Sequence, residues 1–92
     1  MQGREPRYRA DPADAVRSVE LEALTIVYHR PSGMTHVLAP PGPQILEVLQ
    51  HGEATFAELR ARMSERFELT GDDEALAVRL EELVLAGLAE RR

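Results

Sequence analysis

Two runs rich in β-branched and aromatic residues, at 24–30 and 34–39, flank the sequence Pro-Ser-Gly at 31–33. Proline presets the backbone of the first turn position, and glycine adopts the left-handed conformation that closes a hairpin. The pattern predicts two antiparallel strands joined by a tight turn, with Tyr28 opposite His36. A weaker strand pattern over 16–21 predicts one more strand, followed by a turn at residues 22 and 23.

Alternation along this hairpin divides its side chains between two faces. The larger and more apolar set comprises Leu24, Ile26, Tyr28, His36 and Leu38. The second set comprises Thr25, Val27, His29, Thr35 and Val37. Because burial favours the more apolar set, we expect the first face to lie on the core and the second to be partly solvated.

Beyond residue 40 the apolar positions recur at helical spacing. Pro43 suits the first turn of a helix over 44–50 that ends at Gly52. Thr55 and Glu58 form a capping-box pattern that starts a second helix, running to about residue 66. After a break at 69–71, an apolar stripe predicts a third helix, which Gly87 ends with Leu88 folded back onto its last turn.

Residues 1–15 are polar and contain two prolines, so we expect them to form a flexible N-terminal arm. The remaining residues, 16–92, are expected to form one domain, with 90–92 as a short tail. A chain of 92 residues is too short to divide into two units that each bury a core. The predicted fold is α+β, a small three-stranded antiparallel sheet followed by three helices in a winged-helix-like order.

Composition narrows the class of function. The chain has no cysteine, which excludes disulfides and thiol chemistry. Neither a secretion-signal pattern nor an apolar run of membrane-spanning length is present, so we expect a cytoplasmic protein without membrane contact. The net charge is −5, with eleven arginines and no lysine. An acidic balance disfavours nucleic-acid binding, because that affinity comes largely from neutralising phosphates.

No motif in the chain indicates catalysis, a cofactor or a metal. The histidines at 29 and 36 alternate to opposite strand faces, and no cysteine completes a tetrahedral ligand set. The carboxylates of the third helix fit a charge cluster at a helix N-terminus and a solvated face. We therefore expect a protein that is not an enzyme and uses no cofactor.

Three stretches carry a resemblance to a known family: IVYHRPSGMTHVL, ILEVLQHG and LVLAGLA. In this order and spacing they resemble the pyrroloquinoline quinone biosynthesis protein D (PqqD) family. The most similar branch is the PqqD-like peptide chaperone of the HPr-related system, a recognition element of the kind used for ribosomally made, modified peptides (RiPPs). The resemblance covers residues 24–89.

The resemblance implies a non-catalytic peptide chaperone that binds the leader of a precursor peptide and presents it to a modifying or kinase-related enzyme. The leader would add a strand beside residues 34–39, with its side chains in a cleft against the helix at 72–86. The implied site residues are Met34, Thr35, His36, Val37, Leu38, Val78, Glu81, Glu82 and Leu85. The acidic groups of that helix (Asp73, Glu74, Glu81 and Glu82) favour a peptide with basic residues.

Two alternatives stay open. The second and third helices could form the helix-turn-helix of a winged-helix transcription regulator, although the third carries several carboxylates against the single Arg79. A structural domain that forms a homodimer through its sheet is the other alternative. The edge strand could also be covered by the N-terminal arm or by a second copy.

Overall fold

The computed structural model describes residues 5–68 and 72–92. These residues form six β-strands and three α-helices. All strand pairs are antiparallel, which confirms the predicted α+β class. The helix break predicted at 69–71 lies outside the described residues.

Three consecutive strands form one sheet, which we call the meander sheet. It consists of β2 (Val16–Leu21), β3 (Leu24–His29) and β4 (Met34–Leu38), in the order β2-β3-β4. Glu22 adopts a φ of 55° in the turn between β2 and β3. Gly33, with a φ of 72°, donates its N–H to the carbonyl of His29 at 2.8 Å and closes the second turn. The three strands and the positions of both turns agree with the sequence prediction.

The register of the β3–β4 hairpin differs from the prediction by one residue. Val27, and not Tyr28, lies opposite His36, because four residues rather than three separate the paired His29 and Met34. A slip of one residue reverses the faces of a strand. Thr25, Val27 and His29 are therefore buried. The prediction that Leu24, Ile26 and Tyr28 of β3 face the core is wrong.

The faces of β4 follow from the same register. His36 and Leu38 lie on the core side, opposite Val27 and Thr25, as predicted. Leu24 and Tyr28 of β3 point away from the core and are exposed. The more apolar side of the hairpin is thus not covered by residues 5–68 or 72–92.

A second three-stranded sheet joins the two ends of the chain, and we call it the terminal sheet. Its central strand β1 (Arg7–Ala10) pairs with β5 (Ala54–Thr55) on one side and β6 (Ala89–Arg91) on the other. Residues 7–10 fall in the region expected to be a flexible arm, and β6 takes in most of the expected tail. These strands form through partners more than 40 residues away, which local patterns do not reveal.

The helices follow the sequence prediction closely. They are α1 (Gly42–His51), α2 (Phe56–Arg66) and α3 (Asp73–Leu85). Thr55 and Glu58 form the predicted capping box at the start of α2. After α3, Leu88 donates its N–H to the carbonyl of Leu83 at 2.9 Å, and Gly87 has a φ of 81°. This is a Schellman motif, and it directs the chain into β6.

The core lies between the helices and the inward faces of the two sheets. Its buried apolar residues are Val27, Ile45, Leu46, Val48, Leu49, Ala54, Leu59, Met63, Leu76, Leu80, Leu83, Leu88 and Ala89. Aliphatic side chains therefore supply nearly all of the packing. Among the described helices, none is long and apolar enough to cross a bilayer.

Candidate functional site

Strand β4 forms one edge of the meander sheet. It pairs with β3 alone, so one row of its backbone N–H and C=O groups has no strand partner among residues 5–68 and 72–92. Neither β1 of the predicted arm nor any other described strand covers it. An unpaired strand edge of this kind can accept an additional strand from another chain.

The five predicted residues of β4 alternate between two environments. Thr35 and Val37 point to the solvated side of the sheet, and Val37 is 62% exposed. His36 and Leu38 point to the core side and are half-buried. Met34, at the start of the strand, is exposed. A strand added beside β4 would have the same alternation, because paired residues share a face.

A cavity of about 320 Å³ begins where β4 ends. Pro40 and Pro41, joined by a cis peptide bond, form the wall nearest the strand. Met63, Phe67 and Leu76 supply the apolar part of the lining. The remaining lining residues are Gln44, Glu68, Asp72, Asp73, Ala75 and Arg79. The cavity thus lies between the first turns of α1 and α3 and the end of α2.

The four predicted residues of α3 lie outside this cavity. Val78 and Leu85 are 49% and 80% exposed. The carboxylate of Glu81 pairs with Arg91 of β6 at 3.0 Å, and that of Glu82 pairs with Arg79 at 3.0 Å. On α3 and at its N-cap, the cavity is instead lined by Asp72, Asp73, Ala75, Leu76 and Arg79. The sequence pattern placed Asp72 in the N-terminal charge cluster and Leu76 in the core stripe, and only the packing shows that they line a cavity.

The charges around the cavity are mainly negative. Glu68, Asp72 and Asp73 carry carboxylates there, and Arg79 is the cationic side chain of the lining. The side chain of Asp72 accepts the backbone N–H of Ala75 at 2.9 Å and caps α3. Arg79 is paired with Glu82, and Asp73 lies 3.6 Å from Arg60. The carboxylates of Glu68 and Asp72 therefore keep the mouth of the cavity negative, so it favours a cationic group over an anionic one.

Two buried polar atoms near this region have no hydrogen-bond partner within the described residues. They are Nε2 of His36, on the core side of β4, and Oε1 of Gln44, whose residue lines the cavity. Buried polar atoms are usually paired, so an unpaired one marks a place of strain or of ligand contact. His36 lies on the edge strand itself, and Gln44 lies at the cavity.

His29 holds the turn that precedes β4. Its ring nitrogen Nδ1 lies 2.7 Å from Oγ of Ser32, and Nε2 lies 2.8 Å from Oδ2 of Asp11. Oγ of Ser32 also accepts the N–H of Met34 at 3.3 Å. The prediction placed His29 on the partly solvated face, and burial with two polar partners corrects this. The contacts fix the turn and connect it to the segment after β1.

The groups with metal-binding potential do not converge. Among residues 5–68 and 72–92, no three His, Cys, Asp or Glu side chains are grouped so that they could hold an ion. The prediction that His29 and His36 point to opposite faces is wrong, because the observed register places both on the core side. His29 contacts Ser32 and Asp11, whereas Nε2 of His36 has no partner within the described residues. The chemistry available at the β4 edge is therefore hydrogen bonding, apolar contact and charge.

Comparison with solved structures gives one informative likeness. The fold is similar to that in the structure of TbiB1 in complex with the TbiA(beta) leader peptide, with a TM-score of 0.56 and 21% sequence identity. The match covers 87% of this chain and 94% of that chain. No protein-family profile matches the sequence. No curated protein matches it either. The similarity therefore establishes a shared fold with a protein that was solved with a leader peptide.

Proposed function

We propose that this chain is a non-catalytic adaptor that binds the leader of a precursor peptide by strand addition to β4. The observation that carries the proposal is the unpaired edge of β4, which leads directly into the cavity at Pro40 and Pro41. Support comes from the shared fold with TbiB1, which was solved with a leader peptide.

The edge and the cavity contribute differently to binding. Main-chain hydrogen bonds to an edge each give about 0.5–1.5 kcal/mol net, while ordering a flexible peptide costs a comparable amount. The strand alone would thus bind weakly and with little selectivity. A side chain in the cavity would add apolar contact with Met63, Phe67 and Leu76, and it would select among peptides.

The charges around α3 give the peptide a preferred sign. Glu68, Asp72 and Asp73 at the cavity favour a peptide that carries basic residues near its anchoring side chain. These carboxylates are exposed, so the attraction is screened by salt. Affinity that falls steeply with ionic strength would support this assignment, and affinity indifferent to salt would contradict it.

The finer parts of the proposal come from the sequence resemblance. They are membership of the PqqD-like branch of RiPP recognition elements, delivery of the leader to a modifying or kinase-related enzyme, and a cytoplasmic location. The nine site residues inferred from that resemblance stay part of the proposal, and the residues lining the cavity extend them on α3.

The test measures amide shifts while the full chain is titrated with synthetic 15- to 20-residue peptides, which are more than long enough to span both edge and cavity. The peptides are taken from small proteins encoded beside its gene. Binding should shift amides of 34–39 and of the cavity lining. Shifts confined to β2, or no binding by any of these peptides, would overturn the proposal.

Two alanines of α3 provide a matched pair of variants. Ala75 and Ala77 are both exposed, but only Ala75 lines the cavity. Ala75→Trp should fill the cavity and weaken peptide binding by at least about tenfold. Ala77→Trp should bind like the parent chain. Equal affinities of the two variants would contradict a role for the cavity.

A DNA-binding role is the less favoured alternative. The exposed residues of α3 include Asp73, Glu74 and Glu82, which would repel phosphates from a recognition helix. Its one arginine, Arg79, is paired with Glu82. Salt-sensitive binding to duplex DNA by the isolated chain would reverse this preference.

A further inference from the structure

The solvated side of the meander sheet is apolar across all three strands. Residues that pair across neighbouring strands share a face of the sheet. On this side the observed pairing gives three rows of side chains that run across the strands. We call them together the outer face: Arg17, Val19, Leu21, Leu24, Ile26, Tyr28, Thr35 and Val37. Five of its large apolar side chains are exposed, among them Val19 at 49% and Val37 at 62%.

At the outer face, the tertiary packing leaves exposed the side of β3 that the hydrophobic pattern would bury. The helices cover the other side of the sheet, around Val27. Nevertheless Leu24, Ile26 and Tyr28 make the outer face of β3 the more apolar one. Monomers rarely expose a contiguous apolar patch larger than a few hundred Å². Such a patch, where local pattern and tertiary burial conflict, marks a surface that is covered in the functional state.

We propose that the outer face packs against the outer face of a second copy of this chain. The two-fold axis of this dimer runs across the strands, through the row of Val19, Ile26 and Val37. The two sheets then stack about 10 Å apart, as in a β-sandwich, with the helices of each copy on the outside. This interface does not depend on peptide binding, and it leaves the β4 edge of each copy open.

The area of the outer face is sufficient for a specific dimer. The five exposed Val, Leu and Tyr side chains leave on the order of 80–100 Å² each uncovered, and the exposed Arg17 and Thr35 add on the order of 100 Å² more, so the face offers about 500–600 Å² per copy. Two copies would bury about 1,100 Å² in total, above the roughly 1,000 Å² that a biological interface needs and in the range of weak or transient complexes. We therefore expect a dimer of modest affinity.

The charges at the two ends of the outer face are opposite in sign, which favours a second copy related by this axis. Arg17 is the charged residue of the outer face, and it lies near the turn at residues 30–33. Glu22 is exposed in the turn at the opposite end of β2 and β3. An axis across the strands places Arg17 next to the partner's Glu22 at both ends. An axis along the strands would instead bring the like-charged ends together.

The first test compares two valines of equal exposure. Val19, in the centre of the outer face, and Val78, on α3, are both 49% exposed. Sedimentation of the full chain at rising concentration, up to about 500 µM, should show a monomer–dimer equilibrium. Val19→Glu should weaken dimerisation by at least about tenfold and Val78→Glu should not. A monomer at all concentrations, or equal effects of the two variants, would overturn the interface.

The second test is a charge exchange that identifies the axis. Arg17→Glu and Glu22→Arg should each weaken the dimer several-fold by placing like charges together. The double variant should recover most of the parent affinity, because the pair is restored with reversed signs. Two losses that simply add would overturn the pairing of Arg17 with the partner's Glu22. Circular dichroism of each variant confirms that the fold is kept.

Discussion

The two sheets of this small domain are built in opposite ways. The meander sheet connects neighbouring strands through the short turns at 22–23 and 30–33. The terminal sheet joins β1, β5 and β6 from the start, middle and end of the chain. The first can form from local contacts, whereas the second forms only when the helices have brought its strands together.

Polar contacts also differ between the two sheets. Glu53, beside the terminal sheet, contacts Arg7 at 2.7 Å and Arg92 at 3.0 Å. The meander sheet instead has the buried His29 at its turn, in contact with Ser32 and Asp11, and an apolar outer face. The terminal sheet thus closes the chain upon itself, while the meander sheet leaves an edge and a face for other molecules.

The largest expected effect tests the junction between α3 and the terminal sheet. Leu88 is 2% exposed and Leu85 is 80% exposed, three residues away. Leu88→Ala should lower the free energy of unfolding by about 2–5 kcal/mol, because it leaves a cavity next to β6. Leu85→Ala should change it by less than about 0.5 kcal/mol. Urea unfolding measures both, and similar losses would place Leu88 outside the core.

A somewhat smaller effect is expected at the turn of the meander sheet. His29→Ala removes the contacts to Ser32 and Asp11 and leaves a void, so we expect a loss of about 2–3 kcal/mol. His51→Ala, at an exposed histidine bonded to the carbonyl of Glu47, should cost less than about 0.5 kcal/mol. Urea unfolding measures both losses. If His51→Ala lowered the free energy of unfolding as much as His29→Ala, the contacts of His29 would not explain its effect.

The entry into β6 depends on the backbone of one glycine. Gly87 has a φ of 81°, a conformation that alanine adopts with difficulty, so Gly87→Ala should cost about 1 kcal/mol. Gly52, which ends α1 with a φ of 168°, is in extended backbone open to any residue. Gly52→Ala should therefore be close to neutral. Thermal unfolding of both variants checks this, and a neutral Gly87→Ala would argue against the Schellman motif.

The smallest effect concerns pH and the ion pairs of the terminal sheet. The hydrogen bond from Arg7 lowers the pKa of Glu53 below its ordinary value of 4.5, and the charge of Arg92 adds to this. A lowered folded-state pKa stabilises the fold above pH 4.5, and this contribution is lost as the pH falls through the folded-state pKa. The difference in stability between the parent chain and Glu53→Gln should therefore shrink in acid.

Salt provides the control for this pH effect. Because Glu53 and its arginines are partly exposed, about 0.5 M salt should reduce the difference between the parent chain and Glu53→Gln at neutral pH. A difference that is independent of both pH and salt would mean that packing, and not charge, accounts for the effect of the substitution.

The elements that could be predicted are those with local causes. The capping box of Thr55 and Glu58, the glycine at the end of α3 and the turn with Gly33 each depend on residues a few positions apart. The terminal sheet could not be predicted, because Arg7 pairs with Thr55, which lies 48 positions further along the chain, and not with a neighbour in sequence. At the site, the edge strand followed from the pattern, while the cavity on α3 did not.

The sequence by itself determined the helices, their caps and the three strands of the meander, because hydrogen bonds and side-chain periodicity within short segments specify them. Only the tertiary structure decided which face of β3 is buried, since one residue in the length of the turn reverses that choice. It also decided that the ends of the chain pair with each other and that residues 72, 75, 76 and 79 line the cavity. Those outcomes depend on how the segments pack together, and packing is a property of the whole chain.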